Sequence, residues 1–357
     1  MSSGSPLPLP RIDLDRMFYG VGEQDWNFFL NKRIFITGGS GFIGKWLISA
    51  LLDANQRMSL KCKIEILSRS PRQFGALLPE LAPAKDVTLR EGDIRSFEFP
   101  QGEVDIVVHG ATDVAAKTTP SETFSTCVEG TKRVLEFARI SGAQDFLLMS
   151  SGAVYGLHPS NQLGVSESYC GGPDPTLLSS AYGEGKRVAE WLSCAAAAET
   201  ELKVKIARIY AQVGPYMPLD KHFAIGNFIN DALANREIVI HGDGTPLRSY
   251  LYAADTAIWL WAMVVRGATG RAWNVGGEER LSIAALAERV ANLLGSKRGI
   301  KILTPRDSNK PVECYVPNVS RALSELRLPA SLALDDAILR TADWAARKDQ
   351  SIECEKS

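Results

Sequence analysis

Histidine is scarce, charge of neither sign dominates and no apolar run is long; each shortage excludes a class of function. Only four of the 357 residues are histidine. His109, His158, His222 and His241 show no metal-ligand spacing and gather no cysteine or carboxylate, so a metal centre is not expected. The six cysteines, at 62, 127, 170, 194, 314 and 354, form no C-x-x-C pair, which is the pattern of reduced thiols and not of a disulfide frame or zinc site. Lysine and arginine number 40 against 41 acidic residues, a net charge of −1. That balance argues against a nucleic-acid groove or a polybasic membrane face, because counterion release needs clustered positive charge. The longest apolar stretch, 257–265, is too short to cross a bilayer. The opening residues MSSGSPLPLPRIDLDRMF lack a basic region followed by an apolar run, so no secretory signal and a cytoplasmic location are expected. No G-x-S-x-G elbow marks a serine hydrolase, and no internal repeat is present.

What is present is a regular alternation. Residues 1–31 are proline-rich and then aromatic, and read as a lead segment packed on the body. From Lys32, β-branched runs at 33–37, 63–67, 87–90, 104–108, 145–149 and 203–206 alternate with amphipathic stretches at 42–54, 121–140 and 181–198. Such alternation predicts an α/β fold, a Rossmann-type doubly wound parallel sheet covered on both faces. After Gly214-Pro215 the pattern weakens. A dinucleotide-binding domain is therefore expected over 32–210, with 245–275 returning to it. A smaller C-terminal α+β substrate lobe takes 211–244 and 276–345, and 346–357 form a tail.

Directly after the first run comes Thr37-Gly-Gly-Ser-Gly-Phe-Ile-Gly44, with glycines at 38, 41 and 44. Glycines at this strand-to-helix junction permit a tight turn and close backbone approach to a pyrophosphate at the helix N-terminus. Gly39 to Lys45 also fits G-x-x-x-x-G-K, but the next residue must be Ser or Thr to bind magnesium, and it is Trp46. The second run ends in Ser68-Arg69-Ser70, with Arg72 beyond, where an Asp or Glu would bond the ribose 2′-hydroxyl. NADP is therefore expected ahead of NAD. Asp93, in Gly92-Asp93-Ile94, is placed to meet the adenine.

Tyr182 and Lys186 are four apart, on one helix face. A free phenol titrates near pH 10, and a neighbouring cation is expected to lower that value. Tyr182 could then exchange a proton with a substrate hydroxyl while hydride passes to or from a nicotinamide. Ser151, at the end of the fifth run, could orient that hydroxyl.

TGGSGFIG, GDI, VVHGAT, SSGAVYG and YGEGK, in that order over about residues 32 to 345, resemble the extended short-chain dehydrogenase/reductases, and within them the nucleotide-sugar epimerases and dehydratases. The resemblance implies catalytic Ser151, Tyr182 and Lys186. It implies a cofactor site of Gly38, Gly41, Phe42, Ile43, Gly44, Ser68, Arg69, Asp93, Ile94, Ala111 and Thr112, with Tyr182 and Lys186. It also implies substrate contacts from Ser151, Gly152, Tyr182, His222, Phe223, Asn227, Arg248 and Arg321. Arg248 matches a nucleotide-phosphate arginine, which can pair bidentately with a diphosphate. The helices 121–140 and 181–198 would pair in a homodimer.

Departures narrow the subclass. The hexose 4,6-dehydratases of this family carry Asp-Glu after the catalytic Ser or Thr, where this chain has Gly152 and Ala153. Cys127 and Ala211 replace asparagines; the second normally helps hold the substrate, a contact that Gln212 or Tyr210 could take over. The expected activity is NAD(P)-dependent C4 epimerisation of a nucleotide-activated sugar. NADPH-dependent reduction of a 4-keto sugar comes next, then 4,6-dehydration. A non-catalytic dinucleotide sensor is the rival of another class, and the intact Ser151, Tyr182 and Lys186 count against it.

Overall fold

In a computed structural model the described residues are 7–354 apart from 73, 75–77, 79–83, 113–117, 159–163 and 222. The β-branched runs pair as a parallel sheet: β1 (Arg33–Thr37), β2 (Lys63–Ser68), β3 (Val87–Glu91), β4 (Ile106–His109), β5 (Asp145–Ser151) and β6 (Lys203–Ile209). A seventh strand, β7 (Arg271–Val275), adds in parallel beside β6. The spatial order is β3-β2-β1-β4-β5-β6-β7. Strand order reverses between β1 and β4, and a ligand crevice opens at such a switch point.

Both faces are buried, as the runs require. On β1, Ile34 and Ile36 enter one core while Phe35 enters the other. The second core stacks Phe35, Phe97, Phe137 and Phe146 beneath helices α3 (Pro120–Ile140) and α4 (Ala181–Glu199). Full burial of one such ring is worth about 1.5–3 kcal/mol. Thr119 and Glu122 form a reciprocal capping box that fixes where α3 begins.

The first core is covered by α1 (Arg11–Val21), α2 (Phe42–Met58) and α6 (Ala253–Arg266). The apolar run 257–265 lies within α6, whose residues from Ala253 to Val264 are all buried. It is apolar all round because neighbours cover it on every side. Neither α6 nor β7 carries the alternation that marks the other elements. α1 docks through ions as well as rings: Asp13, fully buried, pairs with Arg340 at 2.6 Å and accepts from the Tyr252 phenol at 2.8 Å. Arg16 pairs with Asp255 at 2.6 Å.

Helices α5 (Ala224–Leu233) and α7 (Ile283–Leu293) join small strands in the C-terminal lobe. There Leu247–Arg248 pairs with both Leu281–Ser282 and Cys314–Tyr315, and this lobe faces the carboxyl ends of the main strands. Helix α8 (Leu334–Cys354) closes the chain. Among the described residues no helix is long and apolar enough to cross a membrane.

Candidate active site

The turn from β1 into α2 is made of backbone. Gly38 has φ +74°, and a Cβ there would lie 2.5 Å from the Gly110 carbonyl carbon. At Gly44 a Cβ would lie 2.4 Å from the Gly38 oxygen. The three glycines therefore hold a cradle that side chains would fill, at a helix N-terminus suited to a pyrophosphate. Trp46, which excluded the hydrolase reading, is buried and donates its indole N–H to the Pro215 carbonyl at 2.9 Å.

His109 locks the two strands at the switch point. Its Nδ1 meets Thr37 Oγ1 at 2.8 Å and its Nε2 meets Thr131 Oγ1 at 3.0 Å. The Thr131 hydroxyl donates to the Cys127 carbonyl, so it accepts from Nε2–H, which leaves Nδ1 to accept from Thr37. Burial, then the charge of Lys186, pushes the His109 pKa down to about 3, and the ring is neutral. It is a bonded core residue.

Ser151 ends β5, while Tyr182 and Lys186 occupy the first turns of α4. Lys186 is buried and donates to the Met149 carbonyl at 2.8 Å, its Nζ 5.9 Å from the Tyr182 ring centroid. Ser151 Oγ accepts from the Ala153 N–H at 3.1 Å and lies 3.4 Å from the Tyr315 phenol oxygen. Burial pushes the Tyr182 phenol up from its ordinary value, opposed by a hydrogen bond with Ser151. The expectation that Lys186 lowers this value is corrected: desolvation sets the direction of the shift, and the phenol is neutral. Burial also lowers the Lys186 pKa, opposed by Cys127 and Glu190. Glu190, one turn further on, accepts from Ser150 Oγ at 2.6 Å and pairs with Arg208 at 2.7 Å. This buried pair braces β5 against β6 behind the site.

A cavity of about 530 Å³ lies in front of these groups. Of the residues expected at the site, Gly38, Gly41, Phe42, Ile43, Gly44, Thr112, Ser151, Tyr182, Lys186, Phe223 and Arg248 line it. A second cavity, about 710 Å³, takes in Asn227 and adjoins the first at Ala224, Arg248 and Ile283. Arg248 stands at this junction, bound to Glu313 at 2.6 Å.

Other expected residues lie away from the cavity walls. Ser68 is buried, its hydroxyl accepting from the Ser70 N–H at 3.2 Å, and Arg69 is exposed beside it. The Asp93 carboxylate is bound by Arg95 at 2.8 Å, which with a smaller contribution from Arg69 holds its pKa down at about 2. Ile94 is buried beneath Gly130 of α3, and the Ala111 N–H donates to Thr37 Oγ1. Gly152 lies under the ring of Tyr210. Arg321 lines neither cavity; it donates to the Ala272 carbonyl at 3.0 Å and faces Glu167 at 3.6 Å. These bonds hold Arg321 beside β7. His222 lies outside the described residues. Sequence reasoning missed Tyr315, Tyr250 and Met149, which line the first cavity from stretches without a motif.

The profile of the NAD dependent epimerase/dehydratase family matches residues 34–276, and the chain belongs to that family. It is similar to UDP-glucuronic acid decarboxylase 6 of Arabidopsis thaliana, 31% identical over 303 residues that cover 83% of each chain. Its fold is that of an epimerase from Methanothermobacter thermautotrophicus, with TM-score 0.77, 22% identity and coverage of 94% and 98% of the two chains. The UDP-glucuronic acid 4-epimerase of Bacillus cereus, solved as a tyrosine-to-phenylalanine mutant with NAD and UDP-4-deoxy-4-fluoro-glucuronic acid, matches with TM-score 0.75 at 22% identity. That match covers 88% of this chain and 99% of the other. The protein is thus an NAD-dependent enzyme of the short-chain dehydrogenase/reductase type in a nucleotide-sugar family.

Proposed function

We propose that the protein is a nucleotide-sugar C4 epimerase, oxidising the C4 hydroxyl of the hexose and reducing the keto intermediate from its opposite face. One observation carries this reading: Ser151 and Tyr182 share a cavity in which, among the described residues, no carboxylate lines the wall. A reaction confined to C4 needs one proton acceptor and a partner for the oxygen, which a phenol and a hydroxyl supply. Eliminating water from neighbouring carbons needs further acid and base groups, and Gly152 and Ala153 provide none. When bound, NAD(P) supplies the hydride acceptor and donor. The glycine cradle and Lys186 would hold it, with Ser68 and Arg69 at its adenosine end. Tyr182, in its phenolate form, takes the C4 hydroxyl proton and returns it after the keto sugar has turned; Ser151 orients the oxygen.

Arg69, with no carboxylate closing β2, supports NADP as the preferred form. Exposed Trp191 on α4 and Phe124 on α3 support a homodimer built on those helices. The free thiols of Cys62, Cys127, Cys170, Cys194 and Cys314 suit a reducing, cytoplasmic setting.

The decarboxylase relative supports a second reading that shares the first step. A uronic acid oxidised at C4 is a β-keto acid: CO2 leaves C5, its bonding electrons pass into an enolate, C5 takes up a proton, and the hydride and proton removed in the first step then return to C4. Incubation with UDP-glucose and with UDP-glucuronic acid, followed by mass and NMR analysis, separates the two. An isomer of unchanged mass from UDP-glucose is expected. A product lighter by CO2, formed from UDP-glucuronic acid alone, would replace the first reading by the second, and no turnover of any nucleotide sugar would reject both.

A further inference from the structure

One wall of the first cavity is a stack of rings. Tyr210 and Tyr315 lie 4.5 Å apart between centroids, and His158 is 5.9 and 5.6 Å from them. Tyr210 is 4% exposed and lines the cavity, yet its phenol oxygen has no hydrogen-bond partner among the described residues. A buried hydroxyl left unpaired is costly, so its presence calls for a partner. The neighbouring groups are committed elsewhere. Gln212 donates to the Tyr210 carbonyl at 3.2 Å and accepts from Thr256. The Tyr155 phenol donates to Asn274 and accepts from Arg208, both at 2.8 Å. Tyr315 meets Ser151. Only the two ring nitrogens of His158 share the unpaired condition in this stack.

The backbone has been cleared for this phenol. A Cβ on Gly152 would lie 2.6 Å from Tyr210 Cζ and 2.7 and 2.8 Å from the two flanking ring carbons. The nearest atom is the one that bears the hydroxyl, so the polar end of the ring lies against the residue that follows Ser151. A side chain at 152 and a tyrosine at 210 exclude each other here. The glycine that removes an acid or base from position 152 is also what admits a hydroxyl group beside the reacting centre.

We propose that Tyr210 Oη binds a hydroxyl group of the sugar ring next to the reacting carbon, making Tyr210 a specificity-determining residue for which Gly152 makes room. The inference rests on the reading that a nucleotide-linked hexose presents C4 to Ser151 and Tyr182. Burial keeps the phenol neutral, so it both donates to and accepts from a sugar hydroxyl.

Tyr210→Phe removes the oxygen alone. Titration calorimetry of wild type and variant with UDP and with UDP-glucose, alongside turnover and melting temperature, tests the assignment. UDP affinity and melting temperature are expected to stay the same, while UDP-glucose affinity falls about tenfold and kcat/KM falls about 10- to 100-fold. Gly152→Ala, which displaces the ring, is expected to give the same loss of UDP-glucose affinity with unchanged UDP affinity, at some cost in melting temperature. Equal UDP-glucose affinity and turnover in wild type and Tyr210→Phe would overturn this inference and leave the proposed activity standing. A fall in melting temperature with unchanged turnover would also overturn it, since the hydroxyl would then be structural. Should Tyr210→Phe fail to fold, unchanged UDP-glucose binding by Gly152→Ala would overturn it instead. Wild-type protein that neither binds nor converts a nucleotide sugar would reject the proposed activity and this inference together.

Discussion

The two walls of the cavity are built on opposite plans. The cofactor wall is eight consecutive residues, Thr37 to Gly44, shaped by backbone that tolerates no Cβ at Gly38 or Gly44. The wall proposed to hold the sugar gathers Ser151, Tyr182, Tyr210 and Tyr315 from four separate segments and is shaped by side chains. A backbone-made site is rigid in sequence and generic in ligand. A side-chain-made site is free to vary, and specificity resides there.

Breaking the sugar wall at its proton-carrying group should have the largest effect. Tyr182→Phe is expected to lower turnover of UDP-glucose by about 10²–10⁴-fold while calorimetric affinity stays within about threefold, because the loss is of proton transfer and not of binding. Since burial raises the Tyr182 pKa, the base form is scarce at neutral pH. The wild-type rate should therefore climb with pH through the neutral and mildly alkaline range; a rate that falls across it would contradict this assignment of the base.

Breaking the cofactor wall should act on a different readout. Gly38→Ala places a methyl group against Gly110 at positive φ and is expected to cost about 1–3 kcal/mol of stability. Wild type is expected to keep a dinucleotide through purification and the variant to lose it, as mass analysis of the denatured proteins would show. Arg69→Glu sharpens the contrast more gently. It should shift cofactor preference about tenfold from NADP towards NAD without changing UDP-glucose affinity, measured by competition binding.

The last effect is on the pH dependence of stability, and it lies at His109. Its folded pKa is pushed down to about 3, against about 6.5 for an unfolded histidine. Between those values the unfolded chain holds the extra proton, so the stability linked to this group is complete above about pH 6.5 and lost as pH falls towards 3. The expected slope is at most about 1.4 kcal/mol per pH unit. Melting curves of His109→Gln, though lower overall, should lack this slope.

The same contrast explains what could be read in advance. β1, β4, β5 and β6 announce themselves as short apolar runs buried on both faces, the helices between them by a periodic apolar face, and the glycine cradle by spacing alone. β7 and α6 carry no such period: α6 is covered all round, and β7 joins the sheet after a long excursion through the other lobe. Ser151, Tyr182 and Lys186 were legible as a motif on one strand end and one helix face. Tyr315 was not, since nothing local ties it to Ser151. The direction of the Tyr182 shift was misjudged because four-residue spacing reveals the cation, whereas desolvation depends on the whole surrounding fold. The partners of Arg321, Glu167 and the Ala272 carbonyl, were illegible for a related reason: they come from remote segments.

Oxidation and reduction at one carbon by Tyr182 and Ser151 is tested most directly with UDP-glucose deuterated at C4. The expected product is an isomer of unchanged mass that retains the label at C4, and unlabelled substrate converted in deuterated water should take up no deuterium on carbon. Loss of the C4 label, or solvent deuterium appearing at C5 or C6, would contradict this mechanism.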